Sequence, residues 1–220
     1  MNVSDAIEKR RSIRRYKPDD VPEQVLMKVL NAARLAPSGC AREARKLIVV
    51  RDIETKRKLA AASPCRFPGP NSEIHTVGND KVANAPVVIV GCNLVQDANM
   101  RYFGPVGEEL VVFSNRTRKA GMPEYWDEYL LHSKTHTGEY ESMGLWDLAI
   151  ALDHLSLAAV EEGLGTCWIG VTDEREIRKV LAIPPSVQAR MIMILGYPDV
   201  SPDAKPRKPL EEVVCFEEYS

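Results

Sequence analysis

Residues 145–162 constrain the fold more than any other stretch. Leu145, Trp146, Leu148, Ala149, Ile150, Ala151, Leu152, Leu155, Leu157, Ala158, Ala159 and Val160 place apolar side chains on nearly every side of a helix. A surface helix keeps one polar face, so this pattern predicts a central, buried helix that other layers must cover. Gly163 follows at the position of a left-handed cap. The run Ala85-Pro86-Val87-Val88-Ile89-Val90-Gly91-Cys92 reads as a strand buried on both faces, with Pro86 at its entry. Leu47–Val50, Gly165–Gly170 and Ala189–Leu195 supply shorter strands, the last closed by the turn Gly196-Tyr197-Pro198.

Amphipathic helices are predicted around this centre. Asp5 and Glu8 have capping-box spacing, which predicts a short helix over Ala6–Arg11. Asp20 and Glu23 repeat the pattern, with Pro22 in the first turn and apolar Val25, Leu26, Val29, Leu30 and Ala33 on one face of a helix over Pro22–Ala36. Further helices are expected over Glu54–Ala62 and from Thr172 or Asp173 to Leu181. Residues 63–80, rich in Pro, Gly, Ser and Asn, read as an irregular connection. Periodicity also fails over residues 97–142, a stretch with aromatic clusters at Tyr102-Phe103 and Tyr125-Trp126. So long an insertion in a compact domain reads as a lid over a site or as a mobile segment.

The 220 residues suffice for one domain, 1–220, with the insertion inside it. The formal net charge of −2 and a sequence pI of about 6.1 argue against general nucleic-acid binding. No apolar run approaches the ~20 residues of a membrane span, and charges interrupt the start before a secretory leader can form. The five cysteines, Cys40, Cys65, Cys92, Cys167 and Cys215, contain no C-x-x-C pair. They read as free thiols of a reducing compartment, the cytoplasm.

Against this balance, Lys9–Lys17 reads KRRSIRRYK, six cations in nine positions. Guanidinium groups hold two phosphate oxygens at once and a hydroxyl adds a donor, so Arg10, Arg11, Ser12 and Arg14 form a candidate phosphate clamp. A solvated face and a nucleic-acid patch are the other readings of such a run. His132 and His136 share helical spacing but lack a third ligand, so no metal is expected. Cys40 is read as a small loop residue rather than a redox thiol, Cys92 and Cys167 as core, and Trp146 and Trp168 as packing residues.

Four segments in this order resemble the FMN-dependent nitroreductase family over most of the chain. They are Arg10-Arg11-Ser12-Ile13-Arg14-Arg15-Tyr16; Ala36-Pro37-Ser38 with Val49-Val50-Arg51-Asp52; the long helix ending Gly163-Leu164-Gly165-Thr166-Cys167-Trp168-Ile169-Gly170; and Leu195-Gly196-Tyr197-Pro198 followed by Lys205-Pro206-Arg207. The resemblance implies an α+β fold with a mixed, mainly antiparallel central sheet flanked by helices, in a homodimer that embraces through extended termini and holds FMN at the subunit interface. It implies that Arg10, Arg11, Ser12 and Arg14, with Lys205 and Arg207, hold the flavin phosphate. Pro37, Ser38 and Gly39 of the partner would lie along the ring, and the backbone of Ile169 and Gly170 would approach its N5 and N1. The implied activity passes hydride from NADH or NADPH through flavin N5 to a nitroaromatic, quinone or related acceptor by ping-pong kinetics. The flavin carries the chemistry, and neither nucleic acid nor membrane is a partner. Reductive dehalogenation on the same fold and a non-catalytic flavin sensor or carrier are the alternatives. The chain departs from the family's usual Pro-Ser-Ala-Gly-Asn-Arg-Gln-Pro-Trp loop at Gly39–Arg45, where Ala41 lacks an amide and Glu43 brings an acid.

Overall fold

The computed structural model describes residues 1–39, 43–68, 74–94, 100–103, 109–113 and 137–219. Four strands, β1 (Arg45–Val50), β4 (Val87–Asn93), β7 (Gly165–Ile169) and β8 (Gln188–Gly196), form the central sheet in the order β1-β4-β8-β7. All three pairings are antiparallel. A parallel bridge, Ser12 to Thr166, adds the N-terminal arm at the β7 edge. The result is the α+β layering expected, with the parallel component confined to that bridge.

Period-two alternation sends side chains of the strands to two cores. On one face, Val87, Ile89, Met193 and Leu195 pack with α2 (Glu23–Arg34) and the long helix α5 (Thr137–Glu161). On the other, Val88, Val90, Ile192 and Ile194 pack with residues of α3 (Ile53–Ala61), α4 (Asp80–Ala83) and α6 (Glu174–Val180). Leu148, Leu152 and Leu155 of α5 are fully buried. Trp146, however, is 64% exposed, and Ile150 is exposed beside it. The all-round burial expected of this helix is therefore corrected: sheet, α1 and α2 cover part of its circumference, and one apolar face stays open in the single chain. Gly163 closes α5 with φ +72°, the left-handed conformation glycine adopts at no steric cost.

Helix starts differ from the capping-box expectation. Helix α1 spans Val3–Lys9, and its N-cap is Asn2, whose side chain accepts from Asp5 N at 2.9 Å. Helix α2 follows Pro22 without a side-chain cap; the fixed φ of proline starts it instead. The expected irregular stretch 63–80 carries a hairpin, β2 (Cys65–Pro68) with β3 (Ile74–Val77), and then α4. Within 97–142, β5 (Met100–Phe103) pairs with β6 (Glu109–Phe113), and α5 begins at Thr137. The 125–136 part of that insertion, with His132 and His136, lies outside the described residues.

Cys92 and Cys167 are buried, as expected of core residues. Burial pushes the Cys92 thiol up to about 11 and raises Cys167. A raised native pKa favours the neutral thiol, so this stability is complete below the unfolded value of 9.0 and is lost as pH climbs through about 11. Denaturant midpoints should fall over that alkaline range, and Cys92→Ala should flatten the fall. An unchanged slope in the variant would contradict this.

Candidate functional site

The basic stretch becomes an arm stitched to the β7 edge. Arg11 Nη1 donates back to Glu8 O (2.6 Å) and Arg10 O (2.9 Å), placing a cation where the end of α1 leaves carbonyls unpaired. Ile13 N donates to Thr166 O at 2.9 Å, and Lys17 N to Tyr197 O at 2.9 Å. Tyr16 bridges to Pro198. Its hydroxyl donates to Ile13 O (2.6 Å) and Ile194 O (3.2 Å), both backbone acceptors. Burial pushes the Tyr16 phenol far up, and the nearby Cys167 adds to the rise. It therefore stays a neutral donor.

These stitches fix the arm on both sides of Arg14 and Arg15. Arg15 Nε pairs with Asp199 at 2.8 Å on the surface. Arg14 Nη1 donates to Ser12 O at 3.3 Å. Burial raises the Cys167 thiol, and the positive charges of Arg14, Lys81 and Arg10 act against that rise. Lys81 belongs to α4 and was not among the residues singled out from the sequence. A lone lysine in a four-residue helix carries no periodic or motif signal.

A cleft of about 440 Å³ opens beside the arm. It is lined by Lys9, Arg10 and Arg11 at the end of α1, by the turn Gly163–Thr166, and by Pro198–Pro202. That volume falls in the range of about 300–1,000 Å³ typical of small-ligand sites. A Cβ at Gly165 would lie 2.4 Å from Ile13 Cγ1, so glycine at this position lets the arm lie directly on the strand. At the far end of β7, Ile169 pairs with Ile192. Gly170 beyond it is exposed, with nothing within 4 Å of an added Cβ. Trp168 is 37% exposed, so it is not the packing residue expected.

Pro37, Ser38 and Gly39 lie between α2 and β1. Ser38 Oγ accepts from Glu43 N at 3.1 Å, and Gly39 N donates to Asp147 Oδ1 of α5 at 2.9 Å. Cys40, Ala41 and Arg42 lie outside the described residues. Lys205 and Arg207 sit in an exposed tail, 201–219, which continues from the cleft wall at Pro198–Pro202. Among the described residues no group of three or more His, Cys, Asp or Glu is placed to hold a metal ion, and no helix is long and apolar enough to cross a membrane.

The fold, an antiparallel sheet between two helical layers, is similar to that of solved structures. One, an FMN-dependent nitroreductase from Clostridium difficile R20291, matches with a TM-score of 0.64 over 97% of this chain and 98% of that one, at 26% identity. The model of the nitroreductase family matches residues 7–197, and the chain belongs to that family. A relative from Thermus thermophilus named NADH dehydrogenase is 30% identical over 219 residues, 98% of this chain and 96% of its own. An iodotyrosine deiodinase from Thermotoga neapolitana is 23% identical over 213 residues, 96% of this chain and 94% of its own.

Proposed function

We propose that this chain binds FMN through its N-terminal arm and passes reducing equivalents from NADH or NADPH to a nitroaromatic, a quinone or a related oxidised acceptor. The enzyme class, an FMN-dependent NAD(P)H oxidoreductase, follows from family membership and from flavin-reducing relatives. The observation that carries the site is the arm itself: Ser12 and Ile13 are stitched to Thr166 of β7 by backbone pairing, and Arg10, Arg11 and Arg14 flank that stitch. Planar guanidinium donors and a hydroxyl suit a phosphate monoester, and the cleft that Arg10 and Arg11 line has room for a small ligand. The residues present therefore fit the group.

Bound FMN supplies the two-electron redox chemistry; the chain supplies placement and charge. Arg10, Arg11, Ser12 and Arg14 hold the phosphate, with Lys205 and Arg207 closing from the tail. Backbone of Ile169 and Gly170, and Pro37–Gly39 of a second subunit, would flank the ring. Donor and acceptor occupying one face in turn gives ping-pong kinetics.

A homodimer accounts for the apolar groups left in solvent by one chain: Trp146 on α5, and Leu210 (71% exposed), Val213 and Phe216 (86% exposed) in the tail. In this reading residues 1–220 act as one domain, and 97–142 form a lid that selects the acceptor. The free, buried thiols of Cys92 and Cys167 support a cytoplasmic location.

Purified chain should take up FMN and show a flavin spectrum that anaerobic NADH or NADPH bleaches. A chain that stays colourless after FMN addition overturns the reading. The likeness to a deiodinase favours a second one, reductive dehalogenation of an aromatic substrate. Turnover of halogenated phenols above nitroaromatics would select it.

A further inference from the structure

The Pro37–Gly39 loop is gripped at both ends by side chains from two different elements. At its start, Arg45 of β1 reaches back across the turn, and Nη2 donates to Ala36 O at 2.6 Å and Arg34 O at 3.1 Å. These are carbonyls at the end of α2, where the helix leaves acceptors unpaired and favours a cation. At the end of the loop, Asp147 accepts from Gly39 N at 2.9 Å. Asp147 is only 5% exposed, in a helix whose Leu148, Ala151 and Leu152 are fully buried. A buried acid there is costly to keep unless it is hydrogen-bonded. Among the described residues Arg45 Nη1 is buried with no hydrogen-bond partner, while Nη2 holds its place over the two carbonyls.

From this we propose that Asp147, assisted by Arg45, is a positioning residue: it fixes the height of the Pro37–Gly39 backbone and so shapes the wall this loop gives to the flavin site. The inference rests on the function proposed above. Helix α5 is a packed support, because its buried leucines lie in the core against the sheet. A loop tied to it by a carboxyl oxygen has less freedom to lose when the cofactor binds, which lowers the ordering cost of binding. Neither anchor touches the reacting atoms in this account.

The test compares two variants of nearly equal shape in the full chain. Asp147→Asn retains a carbonyl acceptor for Gly39 N, whereas Asp147→Leu has none. The FMN dissociation constant, read by quenching of flavin fluorescence, should rise about tenfold in Asp147→Leu, the size of one charge-assisted hydrogen bond. It should stay within about twofold in Asp147→Asn. Equal affinity for wild type and Asp147→Leu would overturn the proposal while leaving the proposed function intact. A wild-type chain that binds no FMN would instead remove the reading beneath it. Should Asp147→Leu fail to fold, amide exchange in the wild-type chain decides. Gly39 N–H should be protected before FMN is added, and exchange at the rate of an open loop would overturn the anchor.

Discussion

Replacing Arg10 and Arg14 together with alanine should raise the FMN dissociation constant about a hundredfold or more, with little change in the stability of the protein without cofactor. Each guanidinium removed costs a charge-assisted hydrogen bond of roughly 1.5–3 kcal/mol, and two such losses at the low end make about a factor of a hundred. Arg14 is exposed and Arg10 half-buried. Neither makes a structural ion pair among the described residues, so the fold does not depend on them. Arg11 is left in place because it caps α1 through Glu8 O and Arg10 O, and its loss would mix folding with binding. Titration of flavin fluorescence, with thermal melting of the apoprotein alongside, separates the two. Unchanged affinity in the double variant would mean that the arm is an ordinary solvated face.

The second large effect is expected at Gly165→Val. An added Cβ would lie 2.4 Å from Ile13 Cγ1 and 2.6 Å from Ile13 Cβ. Ile13 is buried and β-branched, so it cannot swing aside. The strand belongs to the sheet through its Gly165–Gly196 pairing; the arm is therefore what must move. Lifting it breaks the Ile13 N to Thr166 O bond and the Ser12 bridge, and it carries Arg10 and Arg14 away from β7. Overpacking of this kind costs about 1–3 kcal/mol of stability. The affinity loss should approach that of the double arginine variant although every cation is still present. Denaturant unfolding and FMN titration of this one variant measure both effects. Stability lost with affinity intact would show that the placement of the arm does not govern the site.

What could be read from the chain beforehand divides along physical lines. Long apolar runs have one outcome, so Val87–Cys92 and Leu148–Leu155 were legible as core strand and core helix. Gly163 was legible because a left-handed cap needs glycine. Capping boxes misled because Asn2 and Pro22 offered competing starts a few residues away, and short-range competition of this kind leaves little trace in spacing. The hairpin at Cys65–Val77 was hidden by the Pro and Gly residues that usually mark loops. The arginines of the arm were visible as a run. Asp147 was not, because it is a single residue whose partner, Gly39, lies 108 positions away; Arg45 was visible as part of a charged loop, but nothing in its spacing showed that it reaches back to Ala36 O and Arg34 O. In hindsight an acid inside so apolar a helix was the signal for Asp147. Trp146 was misread because one chain does not reveal which face of a helix its own layers leave open.

A crystal structure of the chain grown with FMN bears on the central claim most directly. The expected result is the phosphate against Arg10, Ser12 and Arg14 on the β7 edge. A phosphate bound away from the arm, with those side chains turned to solvent, would contradict it.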